Sequence, residues 1–520
     1  MSRVFGRRAF VSGVTSSVAL LLAACGQAAT PTPAQPKPAA PAEAPKPAAA
    51  EPTKPAAAAA APTTAPTTAP AAAPTKPAEP TKPAEPTKPA APAPAAAAKP
   101  TSTPIPVIKA SGKAGATEIE VWTNWGTPPF QAAMRAVADE FVKQQPDIAP
   151  NVVPGAGQNE KLLPAIAAGN PPDMVTLLPT SQFVVRNALL PTDDYVKSST
   201  VIKRDNYADA QLEFLSWKGK LYGIPVIENG PWFALAWNKN LFQDAGLDPE
   251  KPPTTLQELA NVDEKLTKVD ASGNLKQIGF DPRDAMGGWY FPYVWTAIFD
   301  ASWFDPNTSK LSLTTPAVVE AADYVVSYYK RVGPEKISGF RQNFGAWTSP
   351  QSAFPQGVQA MQMNGYWTPG ELAKVAKPGQ KFGYTWVPTK KGDKIQTPSG
   401  WAACTPRTAK NPEQGFRFTE FLTTTRVGQI IFDNVGWLNG SKAMLKELDT
   451  KGNPDVKWYL DSVDKAERRP PVYNIPVYNE LATRLGTGLD EVSRGKSDSK
   501  TMLGELQTQL QKALDDAVRG

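Results

Sequence analysis

From Gly26 to about Lys113 the chain is built mostly of Ala, Pro, Thr and Lys, and Pro74 to Ala90 repeats the string Pro-Thr-Lys-Pro-Ala-Glu. This stretch has almost no large apolar side chain. It cannot bury a core that offsets the entropy of ordering it. Its prolines remove helix donors and block the helix that so much alanine would otherwise favour. The composition therefore predicts a disordered, semi-extended Pro/Ala-rich tether, rising at most about 3 Å per residue where it is polyproline-like. Such a tether reaches on the order of 100 Å. Any folded body is confined to the residues that follow, and in a chain of 520 residues enough remain for two domains.

Residues 1–25 read MSRVFGRRAFVSGVTSSVALLLAAC. Arg7 and Arg8 precede a modestly apolar run, Val11 to Leu22, which is too short to span a bilayer as a mature helix. The run ends in Leu22-Ala23-Ala24-Cys25, which resembles a bacterial lipobox, so residues 1–24 read as a signal peptide and Cys25 as a lipidation site. Two or more acyl chains on Cys25 would anchor the chain stably, at about 0.8 kcal/mol per buried CH₂. The Arg-Arg-Ala-Phe string also resembles a twin-arginine export signal. The expected location is extracytoplasmic, at the cell membrane.

Cysteine and histidine usage removes whole classes of chemistry. The 2 Cys are Cys25 and Cys404, and His is absent. With Cys25 acylated, Cys404 has no partner and no disulfide is expected. Without histidine there is no Ser-His-Asp or Cys-His arrangement and no Cys/His metal set. No catalytic residue, metal or cofactor is expected. The formal charge of +6 is unevenly spread: up to Lys113, twelve Lys and Arg face four Glu, a balance of +8 that leaves −2 for residues 114–520. The folded part is near neutral and carries no basic footprint for nucleic acid.

At Thr117 the composition changes. Ile119 and Val121 alternate with polar residues, which predicts a strand over 118–123. Thr127-Pro128-Pro129 resembles a helix start, with a hydroxyl cap and proline in the first turn. Phe130, Met134, Val137 and Phe141 follow at helical spacing. Met174 to Leu178 predicts a second strand. Thr255 and Glu258 form a capping-box pattern ahead of Leu259, Val262 and Leu266, and an amphipathic helix is predicted over 501–518. Alternating strands and helices predict an α/β architecture.

Five strings then occur in order: Gly169-Asn-Pro-Pro-Asp173-Met-Val; Gly219-Lys-Leu-Tyr-Gly-Ile-Pro-Val226; Trp237-Asn-Lys-Asn-Leu-Phe-Gln-Asp-Ala-Gly246 with Pro252-Pro-Thr-Thr-Leu-Gln-Glu258; Phe354-Pro-Gln-Gly-Val-Gln-Ala-Met361 leading to Asn364-Gly-Tyr-Trp367; and Phe416 to Leu422. Together they are similar to extracellular solute-binding proteins of ATP-driven importers, the family that includes maltose-binding protein. The resemblance implies a two-lobe, periplasmic-binding-protein-like α/β fold with hinge crossovers and a ligand cleft between lobes that close on it. It places lobe one at 114–228 and 398–435, lobe two at 229–397 and 436–520, and the tether at 25–113.

Carried onto this sequence, the resemblance implies a carbohydrate cleft. Aromatic rings cover the C–H faces of a sugar, and carboxylates or amides satisfy its hydroxyls. Trp367 stands at the family's Gly-x-Trp position. Trp125 and Thr127 follow the first strand, and Glu228 and Trp232 flank the first crossover. Trp289 and Tyr290 open an aromatic stretch, and Gly400 and Trp401 mark the second crossover. Trp122 and Trp237 alternate within strands and read as structural, Trp295 and Trp303 as core, and Asp173 as a turn-ordering residue. Arg283 and Asp284 either bind hydroxyls or pair on a loop. Leu177 and Ala482 stand where the maltose-type pattern has aromatics, so a maltodextrin pocket is not expected in detail.

The function expected from this set is capture of a carbohydrate by a membrane-tethered, monomeric binding protein. It would deliver the sugar to the permease subunits of an ABC transporter. Three alternatives stand: a binder of a polyol phosphate, polyamine or peptide; a surface glycoside hydrolase using a pair such as Asp281 and Asp284; and a wall-anchored adhesin.

Overall fold

The computed structural model describes residues 106–157, 159–178, 180–284, 291–345 and 349–519. The signal segment, Cys25, most of the tether, Trp289 and Tyr290 lie outside the described residues.

Two sheets organise the chain. The first has six strands in the order Ile108–Lys109, Ile148–Pro154, Thr117–Thr123, Met174–Leu177, Pro398–Cys404, Ile224–Pro231. Thr117–Thr123 pairs in parallel with both its neighbours, whereas Pro398–Cys404 runs antiparallel between Met174–Leu177 and Ile224–Pro231. The second has five strands in the order Phe382–Thr385, Ala234–Asn238, Gln359–Asn364, Leu275–Phe280, Lys268–Val269. Helices pack on both sheets, giving two α/β lobes.

Local sequence explains the elements. The helix Pro128–Gln144 buries Phe130, Met134, Val137 and Phe141 completely. Each such side chain is worth about 1.5–3 kcal/mol of transfer free energy. Thr127 is its N-cap residue, in extended conformation, but its hydroxyl makes no capping bond. A cap oxygen takes the N–H of the second or third helical residue; Pro129, in second place, has none, and Thr127 does not take that of Phe130. Thr127 is left exposed. Thr255 makes the full capping box, accepting from the Glu258 N–H at 3.2 Å while the Glu258 carboxylate accepts from the Thr255 N–H at 3.2 Å. In the Trp237-Asn-Lys-Asn string, Asn238 caps the helix Lys239–Asp244 by accepting from the N–H groups of Asn240 and Leu241. The last helix, Ser499–Arg519, buries Leu503, Leu506, Leu510 and Leu514.

The chain passes between the sheets without a pause. Ile224–Pro231 ends the first sheet and Ala234–Asn238 starts the second. Phe382–Thr385 closes the second and Pro398–Cys404 returns to the first. A third passage follows the helix Thr425–Val435, which Gly436 terminates in the left-handed conformation at φ 80°. The core holds without a disulfide among the described residues: Cys404 is free and buried, and burial pushes its thiol pKa up. Among the described residues no helix is long and apolar enough to cross a membrane, and no group of side chains could hold a metal ion.

Candidate functional site

The site grows from an irregularity where the two crossover strands pair. Gly400 faces Asn229, but Ala402 faces Pro225, so Ile224–Pro231 carries extra residues at this point. Ile227 takes up the slack at φ 61°, a conformation that a β-branched residue adopts only under constraint. A bulge of this kind re-aims the side chains beside it, and the next residue is Glu228. Opposite it, Gly400 can only be glycine: a Cβ there would overlap the Glu228 carbonyl and the Asn229 backbone. Asn229 locks all three passages together. Its side-chain amide donates to the carbonyls of Val226 and Trp401 at 2.8 and 2.7 Å, and its backbone N–H donates to the Leu438 carbonyl at 2.8 Å.

Glu228 is buried at 8% exposure. The Tyr366 hydroxyl donates to its Oε1 at 3.4 Å, and the Trp401 side chain, like that hydroxyl, favours its charged form. Burial, and then the negative charge of Glu371, hold the Glu228 carboxyl well above the usual carboxylate range. Glu371 lies on the helix Thr368–Val375 and accepts from the Trp437 indole N–H at 3.2 Å.

An aromatic cluster stands over these carboxylates. The Trp125 ring lies 4.9 Å from Trp401, 4.9 Å from Trp437 and 5.5 Å from Phe130, centroid to centroid. Trp437 also meets Phe130 at 5.6 Å. Trp125 follows a strand of the first sheet, Trp401 sits on the second crossover and Trp437 on the third, so the cluster gathers separate passages of the chain around one ring. Trp125 and Trp401 are half-buried and Trp437 is buried.

The remaining expected residues fall into distinct places. Trp367 precedes the helix Thr368–Val375; its ring covers Gly365, meets Tyr366 edge-on at 5.6 Å, and is 7% exposed. Trp232 is buried between Phe214 and Tyr293, at 6.3 and 5.9 Å. Trp237 donates to the Pro249 carbonyl at 2.9 Å, and Trp295 and Trp303 are core. Asp173 ties segments by accepting from the N–H groups of Glu120 and Asn411 at 3.0 and 2.7 Å. Arg283 lies over the Tyr329 ring, and Asp284 accepts from Gln362. Leu177 is a buried strand residue paired with Ala402. Asp281 is committed to Arg341 and Tyr329.

Sequence reasoning missed Glu371, Trp437 and Tyr366. Glu371 carried a signal, since it lies one helical turn beyond Trp367. Trp437 carried only the Gly436 before it, a helix-ending glycine.

Two lobes on two sheets, linked by strand crossovers with a carboxylate–aromatic cluster at their junction, define a solute-binding receptor of the two-lobed type. The sequence profile of the bacterial extracellular solute-binding protein family matches residues 136–451, well over half of the chain, and the chain belongs to that family. It is 22% identical over 305 residues to a maltooligosaccharide ABC transporter solute-binding lipoprotein of Streptococcus pneumoniae, which covers 57% of this chain and 66% of that protein. It is 23% identical over 293 residues to a probable ABC transporter-binding protein of Deinococcus radiodurans, covering 54% and 67%. Among solved structures it resembles CpMnBP1 with mannotriose bound, at a TM-score of 0.67 and 26% identity over 75% of this chain and 99% of that one. The maltose/maltodextrin-binding domain of Bdellovibrio bacteriovorus, bound to maltotriose, shares the fold at a TM-score of 0.61 and 18% identity, over 77% and 100%.

Proposed function

We propose that this chain captures a carbohydrate between its two lobes and delivers it to the permease of an ABC importer, without covalent chemistry. The observation that carries this reading is the Trp125–Trp401–Trp437 cluster beside Glu228 and Glu371. Flat aromatic faces suit the C–H faces of a sugar ring, and carboxylates accept its hydroxyls. Thr127, Glu228, Trp367 and Trp401 are the contacts we assign to the ligand, with Trp125 against Trp401, Gly400 giving the backbone clearance and Trp232 a buried wall. Trp289 and Tyr290 belong to the same proposal on sequence grounds. The S. pneumoniae and mannotriose-bound relatives support the sugar class.

The same proposal covers the ends of the molecule. Cys25 carries the lipid anchor, the tether runs from there and gives way to the first sheet at Ile108–Lys109, ahead of the expected border at 113, and the lobes comprise the residues from that strand to 228 with 398–435, and 229–397 with 436–520. The chain acts as a monomer outside the cytoplasm, exported by a twin-arginine-type signal. Lobe closure is the form the permease would select.

The test is a thermal-shift screen over mono- and oligosaccharides, manno- and malto-series included. A ligand at 100 times its Kd stabilises by about 2.7 kcal/mol. A full sugar panel without a shift sinks the reading. A second reading, an amine ligand, is favoured by the Glu228–Glu371 pairing beside aromatic rings, since such rings also attract cations. Polyamines in the same screen separate the two.

A further inference from the structure

Asn474 sits in the segment before the helix Tyr478–Ser493 and is anchored to the second lobe on both sides. The Tyr293 hydroxyl donates to the carbonyl of Tyr473, and the Tyr473 ring packs at 5.1 Å from Trp303 and 5.4 Å from Phe304. Tyr478, four residues on, stacks on Tyr293 at 4.6 Å. Yet all three hydrogen bonds of the Asn474 side chain go to the first lobe. Its Oδ1 accepts from the Ser181 N–H at 2.9 Å, and its Nδ2 donates to Thr180 Oγ1 at 2.6 Å and to the Phe214 carbonyl at 2.7 Å. The partners fix the amide's orientation, because a backbone N–H can only donate and a carbonyl can only accept. All four residues are buried.

Thr180 and Ser181 lie just past the carboxyl end of Met174–Leu177, a strand of the parallel part of the first sheet. Ligands of open α/β sheets meet the chain at such strand ends. Beside Asn474 lies a cavity of about 400 Å³, lined by Trp217 and Lys218 from one side and Phe304 and Tyr473 from the other. Here the polar strap runs between that void and the Phe214–Tyr293 ring contact at 6.4 Å. A buried amide with both donors and its oxygen engaged specifies one arrangement of its neighbours more than it adds net stability.

We propose that Asn474 is a positioning residue for the cleft: its amide straps the Thr180–Ser181 corner of the first lobe to the second lobe, and so sets the rim that meets the ligand. The link to the cleft rests on the solute-capture reading. The strap itself does not.

Hydrogen–deuterium exchange of the full-length chain without ligand tests the strap. Asn474→Ala should speed exchange in peptides covering 180–185 at least tenfold. Asn474→Asp should not restore that protection, because its second oxygen replaces the donor and faces the Phe214 carbonyl, acceptor against acceptor. Exchange in Asn474→Ala within twofold of the parent overturns the strap, as does an Asp variant as well protected as the parent. For any sugar that stabilises the parent, Asn474→Ala should raise Kd at least tenfold, and an unchanged Kd overturns the positioning role. If no sugar binds the parent, the capture reading fails by itself and the exchange experiment still decides the strap.

Discussion

Tyr366 donates its phenolic hydrogen bond to Glu228 at 3.4 Å, across 138 residues of sequence, and its oxygen in turn accepts from the Leu438 N–H at 3.4 Å. One hydroxyl thus joins the first crossover strand, the loop after Gln359–Asn364 and the third passage. It does so beside a buried carboxyl that has no ion-paired Lys or Arg among the described residues.

Glu228→Gln keeps the shape and the acceptor but removes the ionisation. The folded chain binds the Glu228 proton more tightly than the unfolded chain does. The stability it contributes is therefore present below the ordinary glutamate pKa of about 4.3 and is lost as pH rises through the folded value. The variant should be more stable than the parent at pH 7, and the difference should vanish below about pH 4. Urea denaturation at both pH values checks this. A Gln variant less stable than the parent at pH 7 would show that the charged form is favoured.

Gly230→Ala tests the same contact sterically. A Cβ at Gly230 would lie 2.6 Å from the Tyr366 ring, and Tyr366 is fully buried. The ring cannot swing away freely, so overpacking should cost about 1–3 kcal/mol and weaken any ligand that Glu228 contacts. Thermal melts alone and with ligand measure the two effects.

Asp281 is buried, bonded to Tyr329 at 2.9 Å and to Arg341 through Nε at 2.6 Å. Burial opposes its charge, but the Arg341 guanidinium prevails and holds the carboxyl below its usual range. Its stabilising contribution is present above an unfolded pKa of about 3.9 and is lost as pH falls through the folded value. Arg341→Met strands that carboxylate and should cost about 3–5 kcal/mol at pH 7. Adding Asp281→Asn should recover much of the loss. An Arg341→Met chain as stable as the parent in denaturant would contradict the pairing.

Trp367→Ala should weaken a bound sugar at least tenfold, about 1.4 kcal/mol, whereas Trp367→Phe should keep most of the affinity. Titration calorimetry with the best sugar of the screen decides it. Equal losses in both variants would point to packing over Gly365 in place of stacking on the ligand.

Much of the architecture was legible because it is written in short-range patterns. Phe130, Met134, Val137 and Phe141 predict the buried face of one helix, and Thr255 with Glu258 predicts the start of another. Even here close neighbours adjust the outcome: Thr127 looks like a capping hydroxyl, but Pro129 offers no N–H and that of Phe130 is not taken. Trp232 and Trp125 look alike in sequence, each close to a strand end. One is sealed between Phe214 and Tyr293, and the other presents a half-buried ring at the junction.

Sequence alone was enough to read the chain beyond the Pro/Ala-rich stretch as α/β and to remove every histidine-based device, although the folded part starts earlier than composition suggests, with Ile108 already in the core. Both readings follow from composition and from periods of two and 3.6 residues, which act over a few neighbours. Only the tertiary structure decided that Trp437 and Glu371 join Trp125 and Glu228, and that Asn474 reaches Thr180 and Phe214, 294 and 260 residues away. Such meetings depend on how three passages of chain cross between two sheets, and no local pattern encodes where distant strands will lie side by side.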